Sequence, residues 1–356
     1  MLVIDGSYGE GGGQVLRTSL SLSTISGRPI RIEGIRAGRR KPGLRPQHLT
    51  SLRAAAKLCD AKVEGAKLNS QTLTFAPRTA PNAGDYNFDV AQAARGGSAG
   101  SASLILQTVL LPLALANGAS QVTLRGGTHV AWSPSFHFVR RVYLPTFAAT
   151  GVNAKVSIRK WGWYPIGGGE IRATVTASGD QMGSPALRGL ELMARGKLVR
   201  VRGVSASSNL PKHIRVRQER SALQVLRSNG VNARLEVVDA PAKGQGTVVF
   251  LWAEFENTVA GFTSLGERGK PAEQVAEEAA LDLLAFLQSD AALDRHMADQ
   301  LVLPLALANS PSRFTTEMVT AHLLTNAWVV NQFLPGRVRV DGAEGQPGTC
   351  YLGPAD

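Results

Sequence analysis

The chain has 356 residues, 44% of them apolar and 19% charged, which is enough for a sizeable core and two domains. No run of eighteen apolar residues occurs, so no membrane span is expected; two cysteines, Cys59 and Cys350, exclude a disulfide framework and suit a reducing cytoplasm. A formal net charge of +12 and a pI near 10.1 point to a polyanionic partner, because clustered Lys and Arg gain by displacing the counterions around phosphates.

In chain order, Met1–Asp5 predicts a strand and lacks the pattern of a signal peptide. Val15–Ile25 predicts a helix stopped at Ser26-Gly27, followed by an alternating strand over Pro29–Ile35 and a helix over Pro46–Leu58. An apolar helix then ends in the heptapeptide Leu-Pro-Leu-Ala-Leu-Ala-Asn (Leu111–Asn117), which leads into a strand at Gln121–Leu124 and a helix at Ser135–Ala149. The same seven residues return at Leu303–Asn309, ahead of a strand at Arg313–Thr316 and a helix at Glu317–Phe333. Identical strings followed by the same succession of elements predict a repeated unit, of which the first stretch is a diverged copy.

Material of another character lies in between. Strand Lys197–Ser205, helix Pro211–Ser228, strands Asn232–Val238, Thr247–Phe255 and Thr258–Thr263, and helix Ala272–Gln288 follow a Gly/Ser/Pro-containing stretch at 179–185 that reads as a linker. The expected fold class is therefore α/β (α+β). Three repeated helix-strand-helix-strand units form a body over 1–182 and 291–356, and a smaller α/β domain, 183–290, is inserted before the third unit.

The second helix of each unit carries a histidine near its start: His48, His137 and His322. Spacing alone leaves two readings open, specialised copies of one position or half-buried polar residues at helix starts. Glycine clusters recur at Gly9–Gln14, Arg95–Gly100, Arg125–Thr128 and Gly167–Glu170, and the first two run into helices, where backbone N–H groups favour an anion. Neither a P-loop string nor a complete dinucleotide fingerprint is present. The densest basic cluster, Arg36, Arg39, Arg40, Lys41 and Arg45, is shaped by Gly38, Pro42, Gly43 and Pro46 and suits phosphate. Glu10, among glycines, suits a divalent ion that bridges phosphates. In the expected insert, Arg200, Arg202, Lys212, Arg215, Arg217 and Arg220 suggest a further hold on the polyanion.

Taken in order, Asp5-Gly-x-x-Gly-Glu-Gly-Gly-Gly-Gln14, Ile35-Arg-Ala-Gly-Arg39, Lys41-Pro-Gly-Leu44, Gln47-His-Leu49, Gly97-Ser-Ala-Gly-Ser101, Gly126-Gly-Thr128, Tyr164-Pro-x-Gly-Gly-Gly169, Ala298-Asp-Gln-Leu301 and His322-Leu-Leu-Thr-Asn326 resemble the RNA 3'-terminal phosphate cyclase family. The resemblance runs from Asp5 to about Leu334. It implies an ATP-dependent enzyme that turns an RNA 3'-terminal phosphate into a 2',3'-cyclic phosphate through a histidine–AMP intermediate and an RNA–adenylate. It further implies that the catalytic nucleophile is His322 and that Gln107, His296, Met297, Ala298, Asp299 and Gln300 bind ATP. By the same resemblance Glu10 would bind Mg2+ or Mn2+, and Arg17, Arg36, Arg39, Gln47 and His48 would lie near the metal or the RNA phosphate. Two positions depart from the family pattern. Trp161 stands where Arg or His usually opens the glycine signature, and His296 replaces a tyrosine that some members stack on adenine. A catalytically inactive branch acting in ribosomal RNA processing is the alternative; it lacks the nucleophile, whereas His322 is retained here. An enolpyruvyl transferase shares only the idea of a repeated unit.

Overall fold

The computed structural model describes residues 1–93, 98–177 and 187–353; the start of the second glycine cluster (95–97) and the whole of the expected linker at 179–185 lie outside them. The fold is mixed α/β, with four sheets of four strands. The first contains β1 (Leu2–Asp5), β2 (Ile30–Glu33), β3 (Lys62–Glu64) and β4 (Leu73–Ala76) in the order β1-β2-β4-β3. β1 and β2 are parallel and the other pairs antiparallel. The second uses β5 (Asp85–Asp89), β6 (Ser120–Gly126), β7 (Asn153–Lys160) and β8 (Gly169–Thr176) in the order β5-β6-β8-β7, with the same alternation of directions.

The insert supplies the third sheet: β10 (Leu198–Ser208), β11 (Ala233–Asp239), β12 (Gly246–Phe255) and β13 (Val259–Leu265), ordered β11-β10-β12-β13. The last sheet, β9-β14-β16-β15, repeats the pattern of the first two with β9 (Glu191–Leu192), β14 (Ser312–Thr316), β15 (Val338–Asp341) and β16 (Gly348–Leu352). Each repeated unit is thus richer than the helix-strand-helix-strand reading. It opens with a strand parallel to the second one and closes with a hairpin. β9 also shifts the insertion point. Because Glu191–Leu192 pair in parallel with Arg313-Phe314, the third unit begins ahead of the insert, and the expected start at 183 includes a strand that belongs to the body sheet. Two residues are too few to print an alternating pattern on a sequence.

Helices α1 (Gln14–Ser26), α2 (Pro46–Leu58), α3 (Ala102–Ala114), α8 (Arg295–Ala306) and α9 (Ala321–Phe333) pack against one another and, together with the inner sheet faces, form one apolar core across the three units. The repeated heptapeptide ends α3 and α8, and each copy carries a proline inside the helix, Pro112 and Pro304. Proline has no N–H to give the carbonyl four residues back. At Pro112 the carbonyl left over is that of Thr108, and Ser21 of α1 donates its hydroxyl to it at 2.8 Å. The expected helix at Ser135–Ala149 is broken into α4 (Phe136–Phe138), a π-helical turn (Val139–Tyr143) and α5 (Leu144–Ala149). Pro145, in the first turn of α5, accounts for the break by the same missing donor.

Strand β12 alternates between two cores. Val249, Leu251, Ala253 and Phe255 face α6 (Lys212–Ser228) and α7 (Ala272–Gln288), whereas Val248, Phe250 and Trp252 belong to the body core. A strand buried on both faces reads as one continuous apolar run. The body contributes an aromatic cluster to this seam. His129 stacks on Trp161 with centroids 4.3 Å apart, its Nε2 lies 2.9 Å from Nδ1 of His137, and His137 packs on Phe250. Trp163 Nε1 donates to Ser208 of the insert at 2.7 Å. Trp161 is therefore a buried packing residue between body and insert, which accounts for its departure from a cationic residue.

Burial pushes the pKa of both imidazoles down, that of His137 to about 3. Above the ordinary value of 6.5 they are neutral folded or unfolded; below it only the unfolded chain takes up the protons, so stability is lost as pH falls from 6.5 toward 3. The urea midpoint should decline over that window, and His137→Asn should flatten the decline by about 1 kcal/mol per pH unit.

Candidate active site

The site is assembled where the first unit meets the third. β1 runs into the loop Gly6–Gly13, which carries Glu10 and leads into α1; α9 approaches it from the third unit with His322 in its first turn. The expected helix start at Glu317 is four residues early. Thr320 is the N-cap: its hydroxyl accepts from Leu323 N at 2.9 Å and donates to the Asp299 carboxylate of α8. His322 therefore occupies the second helical position, beside unpaired backbone N–H groups and the positive end of the helix dipole.

The glycine loop is fastened to α9 at two points. Tyr8 stacks on Trp328 with ring centroids 3.9 Å apart, and Glu10 N donates to Thr325 Oγ1 at 3.4 Å. Behind them lies a buried polar chain. Gln14 Nε2 and Thr18 Oγ1 both donate to Asn326 Oδ1, at 3.0 and 2.7 Å, and Asn326 Nδ2 donates to the main-chain oxygen of Asp299 at 2.8 Å. The result is that Glu10 Oε1 lies 3.8 Å from His322 Nδ1, with the Glu10 side chain 12% exposed and that of His322 47%. His322 is pulled below the usual histidine range chiefly by burial, with Arg17 and Arg39 acting in the same direction and Glu10 opposing them. That shift favours the neutral imidazole, whose Nδ1 is the nitrogen facing the carboxylate.

The basic loop closes one side. Arg39 forms an ion pair with Glu10 and donates to its main-chain oxygen at 2.6 Å. Arg36 is spent on the loop itself, donating to the carbonyls of Lys41 (2.7 Å) and Gly43 (3.1 Å). Arg17 is buried, donates to Gln14 Oε1 at 2.7 Å, and burial lowers its pKa to about 10. His48 is buried as well and accepts from Arg45 N at 3.1 Å through Nδ1; burial, then Arg17, Arg36 and Arg45, hold it well below the usual range. A Cβ at Gly13 would sit 2.5 Å from His48 Nε2 and 2.7 Å from Arg17 Nη1, so only glycine allows the loop to lie against these two cationic or polar groups. Gln47 Oε1 accepts from Ser101 N at 3.1 Å and ties this side to the second unit.

The expected ATP residues separate into two kinds. Gln107 of α3 and Gln300 of α8 meet at 2.7 Å and, with Arg17, line a cavity of about 30 Å3; Arg17 Nε and Gln107 Oε1 are buried without a hydrogen-bond partner among the described residues. The cavity has room for about two waters. His296 is exposed at the start of α8, edge-on to Phe138 and close enough to His322 for the two imidazoles to repel when charged. In contrast, Met297 and Ala298 point into the apolar core with no exposure, and Asp299 is buried and committed to Thr320. These three act as packing and struts. Of the six basic residues noted in the insert, Arg215 is buried against Ser207 and Asp239, Arg217 is bidentate to Glu273 and Arg200 is paired with Glu254. Three of them thus already have partners.

Among the described residues no three His, Cys, Asp or Glu side chains converge on one point, so no all-protein metal cage is formed. A hard divalent cation that keeps its waters and takes phosphate oxygens needs only one or two carboxylates. Glu10, set between an imidazole and a guanidinium, fits that requirement. Sequence reasoning missed Tyr8, Thr320, Thr325 and Trp328; only Thr320, three residues ahead of Leu323, carried a readable cap signal.

A sequence model described as RNA 3'-terminal phosphate cyclase matches residues 8–340. This chain belongs to that family, and it is an enzyme of that type. It is 52% identical to the RNA 3'-terminal phosphate cyclase of Methylococcus capsulatus over 99% of both chains. Identity to the proteins of the same name is 49% in Nostoc punctiforme, over 97% of both chains, and 40% in Methanopyrus kandleri, over 99% of both. The enolpyruvyl transferase NikO from Streptomyces tendae aligns with 99% of this chain and 65% of its own at 10% identity, with a TM-score of 0.27, too low to bear on the fold.

The cap at Thr320 is open to test. Thr320→Ala should cost about 1 kcal/mol of stability from the cap alone, and more from the stranded Asp299 carboxylate. Thr320→Ser should restore most of it, as read by denaturant midpoints.

Proposed function

We propose that the chain performs the ATP-dependent cyclisation of an RNA 3'-terminal phosphate, with His322 as the nucleophile. The observation that carries this reading is the exposed, neutral imidazole of His322, held at a helix N-terminus beside Glu10 and Arg39. His322 Nε2 forms a bond to the α-phosphorus of ATP and pyrophosphate leaves. An oxygen of the RNA 3'-phosphate then displaces the imidazole from that phosphorus, giving an RNA–adenylate. The neighbouring 2'-hydroxyl attacks the 3'-phosphorus and loses its proton, and AMP departs with the bonding pair. The first two steps divide one difficult transfer into two, and the last is intramolecular.

The residues divide the work. Gln107 and Gln300 offer polar contacts to ATP, and His296 offers a ring face or edge for adenine, smaller than a phenol ring would give. Met297, Ala298 and Asp299 hold α8 in place for them. Arg17, Arg39, Gln47 and His48 border the path of the phosphates, and Arg36 keeps the basic loop in shape. Glu10 would hold Mg2+ or Mn2+, which neutralises phosphate charge when bound. The body, which includes β9 (Glu191–Leu192), and the insert that follows it would act as one RNA-processing enzyme. Its free, buried Cys59 and Cys350 suit the cytoplasm.

Incubation with ATP labelled at the α-phosphate and Mg2+ or Mn2+ should leave acid-labile label on the wild-type chain. In His322→Ala labelling should fall on the order of 10³-fold or more, together with formation of phosphatase-resistant RNA ends. Label of equal strength on His322→Ala would move the nucleophile elsewhere.

A further inference from the structure

Trp132 is 99% exposed and its backbone φ of 61° lies in the left-handed region, which bulky side chains seldom adopt. Tyr164 is 78% exposed, and Ile166 beside it is also in solvent. The two loops that carry them are pinned together: Thr128 N and His129 N both donate to Gly162 O, at 2.9 and 3.2 Å, and His129 bridges to Trp163. Beneath lie the buried rings of Trp161, Trp163 and His129. Large aromatic side chains held in water forgo the gain of burial. A surface of this kind suits a ligand with flat faces of its own.

The surface is continuous with the active site. A Cβ at Gly167 would lie 3.0 Å from Ala99 Cα, so the Tyr164 loop rests on the segment 98–101; Ser101 of that segment is bonded to Gln47, next to His48 and Arg17. Cations flank it. Lys160 precedes Trp161, and Lys243, on the β11–β12 connection, lays its aliphatic stem against Gly168. Exposed rings with lysines in the adjoining segments suit a single strand of nucleic acid, since every base has a π-face.

We infer that Trp132 and Tyr164 stack the bases of single-stranded RNA upstream of the 3'-phosphate, with Lys160 and Lys243 on its backbone. The inference rests on the function proposed above. Each stacked base is worth about 1–3 kcal/mol, roughly 5- to 150-fold in affinity. The test compares wild type with a Trp132→Ala/Tyr164→Ala double variant on a 3'-phosphorylated dinucleotide and a 3'-phosphorylated dodecamer. The dodecamer's kcat/KM should fall at least tenfold through KM, while the dinucleotide and ATP-only adenylylation are unchanged. An unchanged dodecamer, an equal loss on both substrates, or a change confined to self-association would overturn the platform, the last in favour of a protein interface. A second arm separates the two readings. In an ATP-free His322→Ala background the double variant should bind the dodecamer at least tenfold more weakly whether or not the wild type cyclises RNA, and equal affinity would also overturn the platform.

Discussion

The position of one amide, Asn326, sets the geometry of the site. It sits on α9 of the third unit, accepts from Gln14 and Thr18 of α1 in the first, and donates to the main chain of α8. Buried amides without partners cost about 1–3 kcal/mol each, so this junction has one satisfied arrangement rather than a range of sliding ones. That arrangement brings the glycine loop under the first turn of α9, and the 3.8 Å approach of Glu10 to His322 follows from it. The Tyr8–Trp328 stack and the Thr325 hydroxyl then fasten the loop locally.

Repetition explains how such a junction arises. Three sheets share one strand order and one pattern of directions, and their helices meet in a common core. The second helix of each unit starts with a histidine, but the neighbours differ. His48 is sealed by Gly13 and Arg17, and His137 is sealed by His129 and the insert. Only in the third unit does a loop of small residues leave the imidazole open to solvent. The insert enters that same unit between β9 and α8, on the side where α8 receives Asp294, whose carboxylate accepts from Gly261 of β13 at 3.3 Å. The insert and the unit that carries His322 are thus joined through the helix that carries Gln300.

Much of this was legible in the residues. The heptapeptide repeat marks α3 and α8, and the unbroken apolar run within Thr247–Phe255 marks a strand buried on both faces. The order of glycine and arginine strings carries the family, while roles for His322 and Glu10 come only as what that resemblance implies. What was hidden is hidden for physical reasons. β9 is too short to have a period, and the break at Val139–Tyr143 depends on one proline inside an otherwise regular apolar pattern. Burial is a property of the assembled units. No local pattern distinguishes Met297 and Ala298, which face the core, from His296, which faces out one residue earlier. Pairing is equally silent: Arg217 looks like a free cation in sequence, and Glu273, 56 residues away, neutralises it.

Charge placement follows the same logic. A net charge of +12 does not spread evenly over the molecule's work. Arg36, Arg200 and Arg217 are engaged in holding loops and helices, and Arg17 is buried, where its charge is poorly screened by water. The effect on His322 is specific. Arg17 and Arg39 oppose its protonation, Glu10 favours it, and burial decides the balance toward the neutral form. An imidazole that is neutral, partly exposed and faced by guanidinium groups is nucleophilic while its surroundings remain attractive to phosphate. Those two demands conflict for any nucleophile that must itself be an anion, and a histidine at the start of a helix meets both.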